Sequence, residues 1–200
     1  MKRIPILPTL LVVAAVAVMI TLGLWQGLVR LPEKEAQLAQ LAANPVRPPV
    51  AFPTTPDDRL LFRRTAAMCR DVTGISRAGA GSAGYRLIAT CRTAAGAPEI
   101  KVQLGTTRDP LKDVQWAGGP VSGWISHAPD ATPMISRLFS HVPQEMLLVA
   151  DKPLAGLAAN TRPDISLVPN NHLAYAGQWL FFAALACVIY VLALRRRGSR

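Results

Sequence analysis

Leu173 to Leu194, LAYAGQWLFFAALACVIYVLAL, runs for 22 residues without a charge and stops at Arg195-Arg196-Arg197. At about 1.5 Å of rise per residue, such a helix covers the roughly 30 Å hydrocarbon core of a bilayer. Tyr175 and Trp179 near one end and three arginines at the other are the anchors of a span, where a buried soluble helix needs neither. Working outward, the opposite end of the chain holds a second run, Ile4 to Val29, with 26 uncharged positions. A cleaved signal peptide has an apolar stretch of about 7–15 residues followed by a small-x-small site; this run is longer and lacks that site. The pattern predicts transmembrane helices over residues 4–29 and 170–194, with a basic tail at 195–200.

Composition agrees. Only 17% of the 200 residues are charged and mean hydropathy is +0.26, against about 25% charge in soluble domains. The net charge of +10 is concentrated at the ends. Lys2, Arg3, Arg195, Arg196, Arg197 and Arg200 supply six of the 22 basic residues, which leaves the middle at +4. Charge flanking apolar runs is a topology signal, so nucleic acid is not an expected partner and membrane lipid is. The positive-inside rule places both termini in the cytoplasm and about 145 residues outside it. The expected compartment is a bacterial inner (plasma) membrane with a periplasmic domain. Both tails are too short for a cytoplasmic effector domain.

Between the spans, residues 30–56 read as a juxtamembrane helix and a linker. Leu31 to Ala43 has Pro32 and Glu33 at its start and Leu31, Leu38 and Leu41 on one face, which predicts a helix. Asn44 to Pro56 carries five prolines in thirteen residues, predicting an extended spacer; a Pro-rich recognition ligand is the lesser reading. Residues 57–168 then switch to short apolar runs. Strands are expected at Thr65–Ile75, Tyr85–Arg92, Glu99–Gly105, Val121–His127 and Met146–Ala150, with a loop over Arg77–Gly84 and a short helix at Met134–Phe139 after Thr132-Pro133. The fold class is a membrane protein whose N- and C-terminal transmembrane helices enclose a periplasmic α+β domain with a mainly antiparallel sheet.

Cys69 and Cys91, 22 residues apart on the first two predicted strands, can form a disulfide in an oxidising compartment if those strands are neighbours. Met68, Cys69, Cys91, His127 and His141 would be the ligands of a copper-chaperone reading, but no metal-site spacing joins them. Ser122, Ser126, His127 and Asp130 invite a hydrolase reading, yet no nucleophile elbow is present, and surface polarity on a strand and its turn accounts for them. The chain is expected not to be an enzyme.

The informative positions lie where the two spans meet the outer surface. The first ends Leu22-Gly23-Leu24-Trp25-Gln26, followed by Arg30 and Lys34. The second opens Pro169-Asn170-Asn171-His172-Leu173-Ala174-Tyr175-Ala176, then Gln178 and Trp179. Asn170 and Asn171 suit a helix start, where a side-chain oxygen accepts an orphan N–H. His172, Tyr175, Ala176 and Trp179 follow i, i+3, i+4, i+7 and share one helical face. Gln178, an amide inside the bilayer, is expected to face a partner helix or a ligand. An aromatic belt with a polar headgroup-level histidine explains this face; so does an imidazole that ligates haem iron axially, and periodicity does not choose between them.

Leu-Gly-x-Trp-Gln followed by Arg and Lys, together with Pro-Asn-Asn-His-x-x-Tyr-Ala-x-x-Trp, resembles the Surfeit locus protein 1 family. Its members are assembly factors for haem-copper cytochrome c oxidase, with two spans enclosing an external domain. The second motif matches at seven identities in eleven positions. Arg30 stands one residue later than in the family's first motif. Gln103-Leu104-Gly105-Thr106-Thr107 stands where the family carries Arg-Gly-Trp-Val/Ile-Pro on a central strand, and Gly123-Trp124-Ile125 comes later in the chain. The resemblance implies haem a as the cofactor carried, His172 as its axial iron ligand, and Tyr175, Trp179, Trp25 and Gln26 as further cofactor contacts. It implies the oxidase catalytic subunit as partner, and haem a synthase as a second. The alternative is a ligand-free membrane scaffold that stabilises assembly intermediates through the external domain.

Overall fold

The computed structural model describes residues 5–130 and 143–198. The expected helix at Met134–Phe139, Thr132-Pro133, His141, Lys2, Arg3 and Arg200 lie outside the described residues. The chain divides into two compact units, Met1–Leu38 with Val168–Arg200, and Ala39–Leu167.

The first unit is helical. Helix α1 (Ile6–Trp25) passes through one π turn (Gln26–Arg30) directly into α2 (Leu31–Ala43), and α3 runs from His172 to Gly198. The continuous helix Ile6–Val46 and the helix His172–Arg197 are each long and apolar enough to cross a membrane, the arrangement of a two-pass membrane protein. Leu10, Leu11, Val18, Phe181, Val188 and Ile189 are exposed along them, a surface whose natural solvent is lipid. Arg195, Arg196 and Arg197 form the last turn of α3, where cations complement the helix dipole.

The two helices meet through small residues. A Cβ at Gly23 would sit 3.0 Å from Leu180 Cγ and 3.3 Å from the Ala176 carbonyl; one at Gly27 would sit 3.6 Å from Ala176 Cβ. Ala176 and Ala183 are buried. Gly23-x-x-x-Gly27 is therefore a helix-packing motif: without an apolar driving force in lipid, close backbone approach supplies the attraction. At the far end the Thr9 hydroxyl and the Tyr190 phenol hydrogen-bond across the pair. Gln178, expected to face a partner helix or a ligand, lies on the exposed side of α3 and not against α1.

The second unit is one seven-stranded sheet: β1 (Val50–Ala51), β2 (Arg64–Cys69), β3 (Asp71–Gly79), β4 (Tyr85–Arg92), β5 (Glu99–Thr107), β6 (Gly119–His127) and β7 (Met146–Ala150). Their spatial order is β1-β2-β6-β7-β5-β4-β3. The expectation of a mainly antiparallel sheet needs correction: the sheet is mixed. β1 pairs parallel to β2 and β7 parallel to β5, because β7 inserts between β6 and β5 instead of following its predecessor at an edge. The expected strand Thr65–Ile75 is two strands broken at Arg70. The expected loop from Arg77 is shorter, since β3 continues to Gly79, and Gly84 (φ +86°) closes the turn.

The break at Arg70 shapes this unit. β2 and β3 lie near opposite ends of the strand order yet are joined by that single residue, so the sheet must curl until its ends meet. Arg70 N–H donates to the Arg92 carbonyl at 2.9 Å across the seam. A disulfide joins Cys69 of β2 to Cys91 of β4, with Cα atoms 5.4 Å apart. These strands are not ladder neighbours, so the cross-link ties the seam of the curled sheet and not an adjacent pair. Inside the curl lie Leu87, Ala89, Ile100, Val102, Leu104, Val121, Leu148 and Ala150. The opposite face carries Ile88, Leu147 and Val149, so β7 is buried on both sides.

The Pro-rich stretch is pinned as well as extended. Asn44, wholly buried, donates through Nδ2 to the carbonyls of Arg59 (2.7 Å) and Leu61 (2.8 Å). Asp57 caps the turn Asp58–Leu60, and the side chain and N–H of Arg59 hold its carboxyl below the usual carboxylate range.

Candidate functional site

α3 starts where its first hydrogen bond forms: the Asn171 carbonyl accepts from Tyr175 N–H at 3.0 Å, making Asn171 the residue before the helix. The asparagine ahead of it, Asn170, has a buried side-chain oxygen with no partner among the described residues. His172 is thus the first helical residue, half-buried at the mouth of the pair formed by α1 and α3.

Opposite it stands the π turn. The N–H of Leu31 returns to the Gln26 carbonyl, five residues back, so this turn takes up one residue more than an α-turn. Arg30 closes the turn from outside, its guanidinium 5.7 Å from the Trp25 ring centroid and 2.8 Å from Glu33. Gln26 projects to His172, with Nδ1 and Oε1 at 2.7 Å. This hydrogen bond joins the two expected motifs across 146 residues of chain.

The chemistry follows from donor inventory. An amide oxygen only accepts, so Nδ1 carries hydrogen and donates; in the neutral ring this leaves the lone pair on Nε2. An imidazole so held is an oriented ligand for a soft or borderline metal centre, with its outer hydrogen bond already in place. Gln26 therefore acts on His172. Tyr175 and Trp25 are each about half exposed (48% and 46%), and Trp179 is half-buried. No side-chain hydrogen bond joins these three to His172 or to each other among the described residues.

The other sequence candidates separate. His127 Nε2 lies 2.9 Å from Asp58 Oδ1, a partner supplied by a turn distant in sequence. No group of three or more His, Cys, Asp or Glu side chains that could hold a metal exists among the described residues, and both cysteine sulfurs of the copper reading are used in the disulfide. Gly123-Trp124-Ile125 lies on β6, which pairs with β2 and β7, and Gln103–Thr107 lies on β5, which pairs with β4 and β7, so both segments sit on inner strands. Glycine is needed before the tryptophan because a Cβ there would fall 2.0 Å from the Val149 carbonyl. Trp124 is flanked by Arg64 (5.1 Å) and Arg162 (3.9 Å), with Arg64 also paired to Asp151 at 2.6 Å. The Gly23-x-x-x-Gly27 spacing was readable as a packing signal; the arginines around Trp124 carry no local sequence signature.

The SURF1 family model matches residues 13–184, from within α1 through the sheet and into α3. No curated protein and no solved structure matches the chain.

Proposed function

This chain belongs to the SURF1 family, whose members are associated with cytochrome c oxidase assembly, and from that premise we propose that it carries haem a to the oxidase catalytic subunit. The observation that carries the proposal is the His172–Gln26 contact at 2.7 Å, which fixes an imidazole between the two helices. His172 would hold the iron through Nε2, and the haem would supply only that coordination site and its lipophilic ring. Gln26 holds the ring tautomer and angle. Trp25, Tyr175 and Trp179 offer flat or polar edges at the same end of the helices, fitting a porphyrin that stays partly in lipid. No covalent chemistry is asked of the protein. In this reading both termini are cytoplasmic and the sheet unit is periplasmic, where it meets the catalytic subunit or haem a synthase.

The test is absorbance of detergent-purified protein after co-expression with the enzymes of haem a synthesis. Wild type is expected to show a Soret band, and His172→Ala to lose it while keeping wild-type helicity. A colourless wild type that still co-purifies with oxidase subunits would sink the carrier reading in favour of a ligand-free scaffold.

A further inference from the structure

The outer face of the sheet unit holds a polar cleft of about 260 Å³ that the haem reading does not use. Its floor is built by Gln103 of β5, Val149 of β7 and Ser126 of β6, and its rim by Arg86 of β4 with Thr161 and Arg162. The segment supplying Thr161 and Arg162 is fixed from below. Thr106 and Ala158 exchange two backbone hydrogen bonds (3.0 and 2.9 Å), and Leu154 N–H donates to the Leu104 carbonyl at 3.0 Å.

Asn160 then sets the polarity of the floor. Both hydrogens of its amide are used, on the carbonyls of Gln103 (3.1 Å) and Ala150 (3.0 Å), so its Oδ1 must accept. It accepts from Gln103 Nε2 at 2.7 Å. That orients the Gln103 amide without freedom to flip and leaves its Oε1 a buried acceptor with no donor among the described residues, on a residue only 4% exposed. An orphaned buried acceptor is costly, and native interiors avoid it unless something else completes the bond. At the rim, Arg86 donates through Nε to the Gly79 carbonyl, and Arg162 is stacked on Trp124; neither pairs with a carboxylate among the described residues. The cleft thus offers two cations and two hydroxyls as donors, beside one acceptor that needs an N–H.

We propose that this cleft binds the C-terminal carboxylate of a partner polypeptide. The carboxylate oxygens take the donors of Arg86, Arg162, Ser126 and Thr161, and the last peptide N–H, next to the carboxylate along the chain, donates to Gln103 Oε1. Phosphate, sulfate or a simple carboxylate satisfies the arginines but brings no N–H for Gln103. The volume falls just below the roughly 300–1,000 Å³ of sites for drug-sized ligands, which suits one or two terminal residues. Capture of a terminal carboxylate by convergent donors is an established mode of peptide recognition.

The experiment uses the full chain in nanodiscs, titrated with N-acetyl-Ala-Ala, its C-terminal amide and acetate, and read by the side-chain amide resonances of Gln103. The free acid is expected to bind saturably and to shift the Gln103 signal, with the amide and acetate each about tenfold weaker or worse, the value of a charged hydrogen bond. Arg86→Met and Arg162→Met should each weaken the acid by a similar factor, and added salt should weaken it in wild type. Equal binding of acid and amide would overturn the proposal, as would equal binding of acid and acetate or no saturable shift at millimolar peptide. The Arg86 side chain sits at the rim with one hydrogen bond, to a backbone carbonyl, among the described residues, so its variant reports on binding even if the Arg162 variant fails to fold.

Discussion

Gln26 shows what one residue contributes that a motif cannot express. Replacing it with leucine keeps volume and helix propensity and removes the acceptor for His172 Nδ1–H. In Gln26→Leu the two neutral tautomers are expected to become mixed in the ligand-free protein, visible in the ¹⁵N shifts of His172. Haem a retention should drop about 10- to 100-fold, the usual effect of losing the outer hydrogen bond of a metal-bound histidine. Gln26→Glu keeps an acceptor and should restore the Nδ1–H form. An unchanged His172 spectrum in the leucine variant would show that the 2.7 Å contact does not set the tautomer. His172 was legible because it opens an i, i+3, i+4, i+7 face after two asparagines. The role of Gln26 was not, since its partner lies 146 residues away and only the packed helices bring the two together.

At the scale of elements, the helix pair rests on the absence of side chains. Gly23→Val would put its Cβ at the 3.0 Å approach to Leu180 and at 3.3 Å from the backbone of Ala176; the backbone cannot yield as a side-chain tip can. Overpacking of this kind costs about 1–3 kcal/mol. Gly23→Val should therefore weaken association of α1 with α3, measured as lost cross-linking between cysteines placed at 26 and 172, whereas Leu28→Ala on the exposed face should leave it intact. Undiminished cross-linking in Gly23→Val would mean that the small-residue seam is not what holds the pair. The strand elements show the limits of pattern reading. Tyr85–Arg92 and Met146–Ala150 stand in the structure at their expected bounds because turns with glycine or proline bracket them. The run from Thr65 to Ile75 read as one strand because Arg70 turns the chain with no glycine, proline or asparagine to mark it. The parallel pairing of β5 with β7 was invisible, for its partners are set by which strand fills a gap in the sheet and not by local periodicity.

For the whole molecule, the charge distribution spoke plainly: bases at the extreme ends and long uncharged runs inside them are a bilayer's constraint on the entire chain. The closure of the sheet was not so legible, and the disulfide is where that matters. Cys69 and Cys91 enclose a loop with a sequence separation of 22, for which loop-closure entropy gives about 3 kcal/mol of stabilisation through the unfolded state. The seam it ties otherwise rests on the Arg70–Arg92 backbone bond and on the packing of Leu87, Val121 and Leu148. Both cysteines are buried, at 2% and 0% exposure, so mild reductant should reach them only when the sheet opens. The double variant Cys69→Ala, Cys91→Ala is expected to unfold in the sheet unit at lower denaturant with the slope unchanged, by an amount near that 3 kcal/mol. The helices should stay folded in detergent, because their contacts are of a different kind. If the double variant unfolded at the wild-type midpoint, the ladders and core alone would hold the sheet's ends together. The link would then be a by-product of a seam already closed by packing.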